Sequence, residues 1–130
     1  MPEHPPAHPP APARGPDVPT PRPRVALETT VLSHGLPWPA NRDLARDLHA
    51  ILSDMGVDAA TAGVLGGALR CDLTLEETLQ FCDAPGMFAP VKTSLANLPG
   101  VLAQGDAGAT TVATTMLAAH RASIRVMATT

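Results

Sequence analysis

The chain has 130 residues, 45% of them hydrophobic but only 2% aromatic and none tyrosine, which allows one modest domain with a core of Ala, Val and Leu that buries little area per residue. A formal net charge of −3 argues against a nucleic-acid surface, which needs clustered Lys and Arg, and no apolar run is long enough to span a bilayer. No apolar signal segment opens the chain, and Cys71 and Cys82 have neither a CxxC nor a zinc spacing, so a reducing cytoplasm and buried free thiols are expected.

Residues 1–23 form a Pro-rich tail. Proline removes backbone donors, and the stretch carries almost no apolar side chains, so it is expected to be disordered or fluctuating polyproline II. Order is expected from Arg24. Val25-Ala26-Leu27 reads as a short strand, and Pro37 and Pro39 break the chain after Ser33-His34-Gly35. Asn41 suits an N-cap, with Asp43 in the first turn and Leu44, Leu48, Ile51, Leu52 and Met55 on one face, predicting a helix over 42–55 that stops at Gly56. Two strands are expected either side of Gly66-Gly67. Thr74-Leu75-Glu76-Glu77 reads as a capping box opening a helix to about Phe81. A loop over 83–90, an extended segment at Val91–Ser94 and a helical turn or two within 95–103 follow. Gly105–Thr111 leads into a helix carrying Ala113, Met116, Leu117 and His120, and Ile124–Ala128 reads as a buried strand. Strands alternating with helices predict an α/β fold, layered α/β/α around a mixed sheet.

Three segments carry candidate chemistry. Gly105–Thr111 precedes a helix, where backbone N–H groups and the Thr110 and Thr111 hydroxyls would suit an anion; an ordinary capped helix start is the alternative. Glu28 follows a strand directly, at the end of an α/β sheet where binding crevices form. A carboxyl half-buried there would hold its proton and suit proton donation, against the alternative of a solvated strand end. Lys92 stands alone on an extended segment, either as a point charge for a phosphate or simply at the surface. His34 would bond a ligand or pin its own loop. No histidine pair has metal-ligand spacing.

Taken together, these segments resemble one family. The order is Ala26-Leu27-Glu28-Thr29-Thr30-Val31-Leu32-Ser33-His34-Gly35-Leu36-Pro37, then Thr61-Ala62-Gly63-Val64-Leu65, then Lys92-Thr93-Ser94. Gly108-Ala109-Thr110-Thr111-Val112-Ala113-Thr114-Thr115-Met116 and Ile124-Arg125-Val126-Met127-Ala128-Thr129 complete it. The chain from about Val25 to Thr129 is similar to the N-terminal part of the pseudouridine-5′-phosphate glycosidase family, also called the indigoidine synthase A family. The resemblance implies reversible cleavage of pseudouridine 5′-phosphate to uracil and ribose 5-phosphate through a lysine Schiff base, a nearby manganese ion, and a cytoplasmic homotrimer with neither a nucleic-acid nor a membrane partner.

On this chain the resemblance implies that Glu28 is the proton donor. It implies that Lys92 holds the substrate through its phosphate, and that Val112 touches the substrate through its backbone. Thr111 and Thr129 are further substrate-binding candidates. The family's Gly-Gly-Ile-Gly-Gly-Val-His continuation, its nucleophilic lysine and its metal-binding aspartate are implied beyond Thr130, and the arginines that follow the family's Lys-Val-Ser are replaced here by Leu95-Ala96-Asn97. Two readings follow. One is an enzyme whose remaining half is supplied elsewhere. The other is a truncated remnant without turnover of its own, a binder of phosphorylated sugars or a subunit-interaction piece, with a sheet left open at its edge.

Overall fold

Eight residues, Asp58–Leu65, form the strand on which the other elements are registered. The computed structural model describes residues 20–83 and 88–129. In chain order the elements are β1 (Arg24–Leu27), a π-helical turn (Val31–Gly35), α1 (Ala40–Asp54), β2 (Asp58–Leu65), β3 (Ala68–Leu73) and α2 (Leu75–Gln80), then β4 (Val91–Thr93), α3 (Leu98–Gln104), β5 (Gly108–Thr110), α4 (Val112–Arg121) and β6 (Met127–Ala128). Among the described residues the strands make one mixed sheet in the order β4-β5-β2-β1-β6, with β3 also paired to β2.

Side chains alternate across β2. Ala60, Ala62 and Val64 face one way. The two alanines pack on Ala118 and Ala119 of α4 and on Ile124, and Val64 packs on Leu98 and Val101 of α3. Thr61 and Gly63 face the other way. The Thr61 hydroxyl lies 3.1 Å from His49 Nε2 on α1, and a Cβ on Gly63 would stand 2.7 Å from Leu73 and 3.0 Å from Phe81. Helices therefore cover both faces, giving the expected α/β/α layers. The scarcity of aromatic side chains is expressed as Ala-on-Ala packing, which brings α4 close to the sheet.

Several local expectations change. Asn41 is not an N-cap: α1 begins at Ala40 behind Pro39, and the buried Asn41 amide donates to Leu32 O at 2.9 Å and Cys82 O at 3.2 Å. The inward stripe of α1 is centred on Asn41, Ala45 and Leu52. At 3.6 residues per turn that stripe lies roughly 100° round the helix from Ile51, so Ile51 faces outward, and Met55 is exposed as the C-cap beyond the last turn. Gly105–Thr111 holds a strand, β5, that the glycines concealed. The predicted buried strand at Ile124–Ala128 shrinks to the two residues of β6, with Ile124 buried in the preceding turn and Val126 exposed.

The anchored chain begins ahead of Arg24. Arg22 Nε pairs with Asp58 Oδ1 at 3.0 Å, and Asp58 N donates to Pro23 O at 2.9 Å. The rest of the predicted tail, residues 1–19, and residues 84–87 of the predicted loop lie outside the described residues. Both halves of the Thr74 capping box are present. Cys71 and Cys82 are free and buried, and burial pushes the Cys82 thiol up to about 11. No described helix is long and apolar enough to cross a membrane.

Candidate active site

β1 and β5 run toward each other along the same edge of β2. β1 is parallel to it, pairing Leu27 with Thr61, and β5 is antiparallel, pairing Ala109 with Gly63. Their carboxyl ends therefore meet beside Ala62. A cluster of buried threonines closes the gap. Thr29 Oγ1 donates to Ala62 O at 2.9 Å and accepts from Thr110 N at 2.9 Å. Thr110 Oγ1 donates to the same carbonyl at 3.1 Å and accepts from Thr115 Oγ1 at 2.9 Å. Thr30 Oγ1 donates to Ala109 O at 3.1 Å. Each hydroxyl has a partner, as burial demands. These bonds fix the residue before the cluster, Glu28, relative to the residue after it, Thr111.

β4 brings Lys92 to the same region. It runs parallel to β5, and Thr93 O accepts from Thr111 N at 3.1 Å and from Thr114 Oγ1 at 2.9 Å. Thr111 caps α4, its hydroxyl facing Thr114 N at 3.5 Å. Val112, the first residue of α4, is exposed at the helix start, where backbone N–H groups lack intrahelical acceptors. Lys92 is the chain's one lysine. Its side chain is exposed and, among the described residues, forms no ion pair.

Glu28 has a different partner. β6 pairs with β1 in parallel, Leu27 opposite Ala128, so Glu28 and Thr129 leave the two strands side by side. The Thr129 hydroxyl donates to Glu28 Oε1 at 2.6 Å. Leu27, Val31, Leu44 and Leu48 join these two around a small cavity of about 80 Å³. The structure thus pairs Glu28 with Thr129, while Thr93, the residue after Lys92, carries the backbone bond to Thr111 that leads into Val112. A larger groove of about 610 Å³ lies beside Arg24, Arg46 and His49 and contains none of the candidates.

Two points differ from the sequence reading. Thr110 is not an anion donor, because its hydroxyl is buried and committed to Ala62 O. Gly108 is not part of a phosphate loop either: a Cβ there would stand 2.5 Å from Thr93 Oγ1 and 2.9 Å from Val64 Cβ, so glycine is what lets β5 pass between β4 and β2. The threonines Thr29, Thr114 and Thr115 were not singled out, although the doublets Thr29-Thr30, Thr110-Thr111 and Thr114-Thr115 mark them. Among the described residues no three His, Cys, Asp or Glu side chains converge as a metal ion requires. The resemblance sets the manganese-binding aspartate beyond Thr130, outside the described residues.

Comparison with known proteins identifies the family. The family model described as indigoidine synthase A like protein matches residues 17–130. A pseudouridine-5′-phosphate glycosidase of Rhodospirillum centenum is 49% identical over 108 residues, 83% of this chain and 32% of the relative. Pseudouridine-5′-phosphate glycosidase 1 of Rhizobium johnstonii is 44% identical over 107 residues, 82% of this chain and 33% of the relative. The chain therefore spans about a third of the length of these relatives. Among solved structures, an indigoidine synthase A-like protein from Thermotoga maritima superposes with a TM-score of 0.74 at 32% identity, over 83% of this chain and 36% of that one. The prealnumycin C-glycosynthase AlnA, solved with ribulose 5-phosphate, gives 0.66 at 35% identity over 83% of this chain and 33% of that one. The chain belongs to the indigoidine synthase A-like family of glycosidase and C-glycosynthase enzymes.

Proposed function

We propose that this chain supplies the proton-donating and phosphate-holding part of a pseudouridine-5′-phosphate glycosidase site. What supports the reading most directly is the 2.6 Å bond from Thr129 to Glu28 Oε1, made where two parallel strands end. With Oε1 occupied as an acceptor, Oε2 is the oxygen left to carry the proton. Leu27, Val31, Leu44 and Leu48 give the cavity beside it an apolar lining. Lys92 acts as a point charge for the substrate phosphate. The Val112 N–H adds a donor at the positive end of α4, and Thr111 sets that end in place. The Schiff base of the proposed reaction needs a second amine, because Lys92 is committed to the phosphate. The manganese ion, the homotrimer and the cytoplasmic setting belong to the same proposal. No step is assigned to the metal.

The single lysine also favours a second reading, a sugar-phosphate-binding piece without turnover of its own. Both readings share one ground-state requirement. Calorimetric titration with ribose 5-phosphate should show binding that Lys92→Ala weakens roughly ten- to a hundredfold, the loss of one charge-assisted hydrogen bond. Equal binding by the variant would remove Lys92 from the site. Glu28→Gln should leave this binding within about threefold, since a proton donor acts in the transition state rather than on the bound sugar.

A further inference from the structure

β4 is three residues long and lies at one end of the sheet. Its backbone groups alternate between two edges. Val91 N donates to Ala107 O at 2.8 Å and Thr93 O accepts from Thr111 N at 3.1 Å, so Val91 and Thr93 bond toward β5. Lys92 O and Ser94 N therefore point to the outer edge, where among the described residues no strand pairs with β4. So short an edge strand would open easily if held from one side alone.

The Asn97 side chain occupies that edge. Its Nδ2 donates to Lys92 O at 3.0 Å. Its Oδ1 accepts from Ser94 N at 2.7 Å and lies 3.2 Å from Ser94 Oγ. The backbone partners fix which way the carboxamide points, since a backbone carbonyl only accepts and a backbone N–H only donates. A residue of an adjacent parallel strand, opposite Thr93, would make the same two backbone bonds. The Asn97 carboxamide therefore acts as one peptide group of such a strand.

Asn97 also precedes α3, where asparagine ordinarily caps with its side chain. Here it makes no capping bond. The helix starts on backbone bonds, Leu98 N to Ser94 O at 3.0 Å and Val101 N to Asn97 O at 3.1 Å, and is anchored by the buried Leu98 and Val101. The side chain is thus committed to β4 rather than to its own helix.

We propose that Asn97 is a positioning residue for Lys92. It fixes the backbone on both sides of Thr93, so the lysine side chain leaves β4 from one point, at a set place relative to Thr111. A fixed starting point lowers the entropy lost when one flexible side chain closes on a phosphate. This inference rests on the phosphate role proposed for Lys92 and adds the residue that supports it.

Lys92 is the chain's one lysine, so lysine labelled with carbon-13 and nitrogen-15 gives a single set of magnetic-resonance signals. The Lys92 amide order parameter should be about 0.85 in the unaltered chain and should fall toward about 0.6 in Asn97→Ala, with circular dichroism unchanged. Ribose 5-phosphate should shift the Lys92 side-chain signals in both, with a midpoint about tenfold higher in Asn97→Ala. By calorimetry, adding Asn97→Ala to Lys92→Ala should cost no further affinity, because Asn97 acts through that side chain. An unchanged order parameter, an unchanged midpoint, or the same tenfold loss in the Lys92→Ala background would overturn the proposal. If ribose 5-phosphate leaves the Lys92 signals of the unaltered chain in place, it is the phosphate role of Lys92 that fails, and Asn97 then holds a strand end and positions nothing.

Discussion

Thr29 gives a hydroxyl hydrogen to one strand and receives an amide hydrogen from another. Thr29→Val keeps the shape but leaves Thr110 N–H and part of Ala62 O without partners in a buried place. An unsatisfied buried group costs about 1–3 kcal/mol, so chemical denaturation should show a loss of that size, and Thr29→Ser should recover most of it. Two other residues set limits in pH. Burial holds the His49 pKa below its ordinary value of 6.5. The unfolded chain therefore takes up that proton first, and stability falls as pH drops from about 6.5 toward the lower folded value. For Cys82 the folded value, about 11, lies above the ordinary 9.0. The unfolded chain loses that proton first, so stability declines as pH rises from 9.0 toward 11. Urea midpoints measured across pH should show both limbs, and Cys82→Ala should shrink the alkaline one, leaving the part due to Cys71, whose thiol burial also pushes up. Glu28 and Lys92 were legible in the sequence as candidates because each is a charged group isolated among apolar or small neighbours. The threonine cluster was not, since a Thr reads alike whether it caps a helix, faces solvent or bonds a distant carbonyl.

Among the elements, α2 and its capping box followed directly from Thr74 and Glu77. The structure adds a partner that local spacing could not give. Arg70 on β3 grips both Glu77 oxygens at 3.0 Å, and Glu77 Oε2 also accepts from Thr74 N at 3.0 Å. Arg70 first, then the Thr74 backbone, hold the Glu77 carboxyl below its ordinary 4.5. Its contribution is therefore complete above about pH 4.5 and is lost as pH falls through the folded value. Glu77→Gln should flatten that acid limb of the stability profile. β5 was hidden because Gly108 argues against a strand on propensity while tertiary packing requires it. Gly108→Ala drives a methyl into Thr93 Oγ1 and Val64 and should cost about 1–3 kcal/mol, visible as a lowered melting temperature. Asn41 misled for a related reason. A residue ideal for capping was used instead to bind two carbonyls from other elements.

For the molecule as a whole, alternating helices and strands were enough to give three layers. The order β4-β5-β2-β1-β6 was not, because nothing local shows that β5 and β1 share one edge of β2 from opposite directions. That arrangement matters most for function. It turns two strand ends toward each other and brings Glu28 and Thr111, 83 positions apart in the chain, into one region fixed by threonines. Motif order in the sequence gave the family, whereas the structure adds that the Glu28 carboxyl is held by Thr129 and that Lys92 lies on a separate strand, β4. The central claim is that Lys92 holds the sugar phosphate by charge and does not form a covalent bond to it. Reduction with borohydride in the presence of saturating ribose 5-phosphate, followed by intact mass measurement, tests that most directly. The account predicts an unmodified chain, and a reduced sugar-phosphate adduct mapped to Lys92 would contradict it.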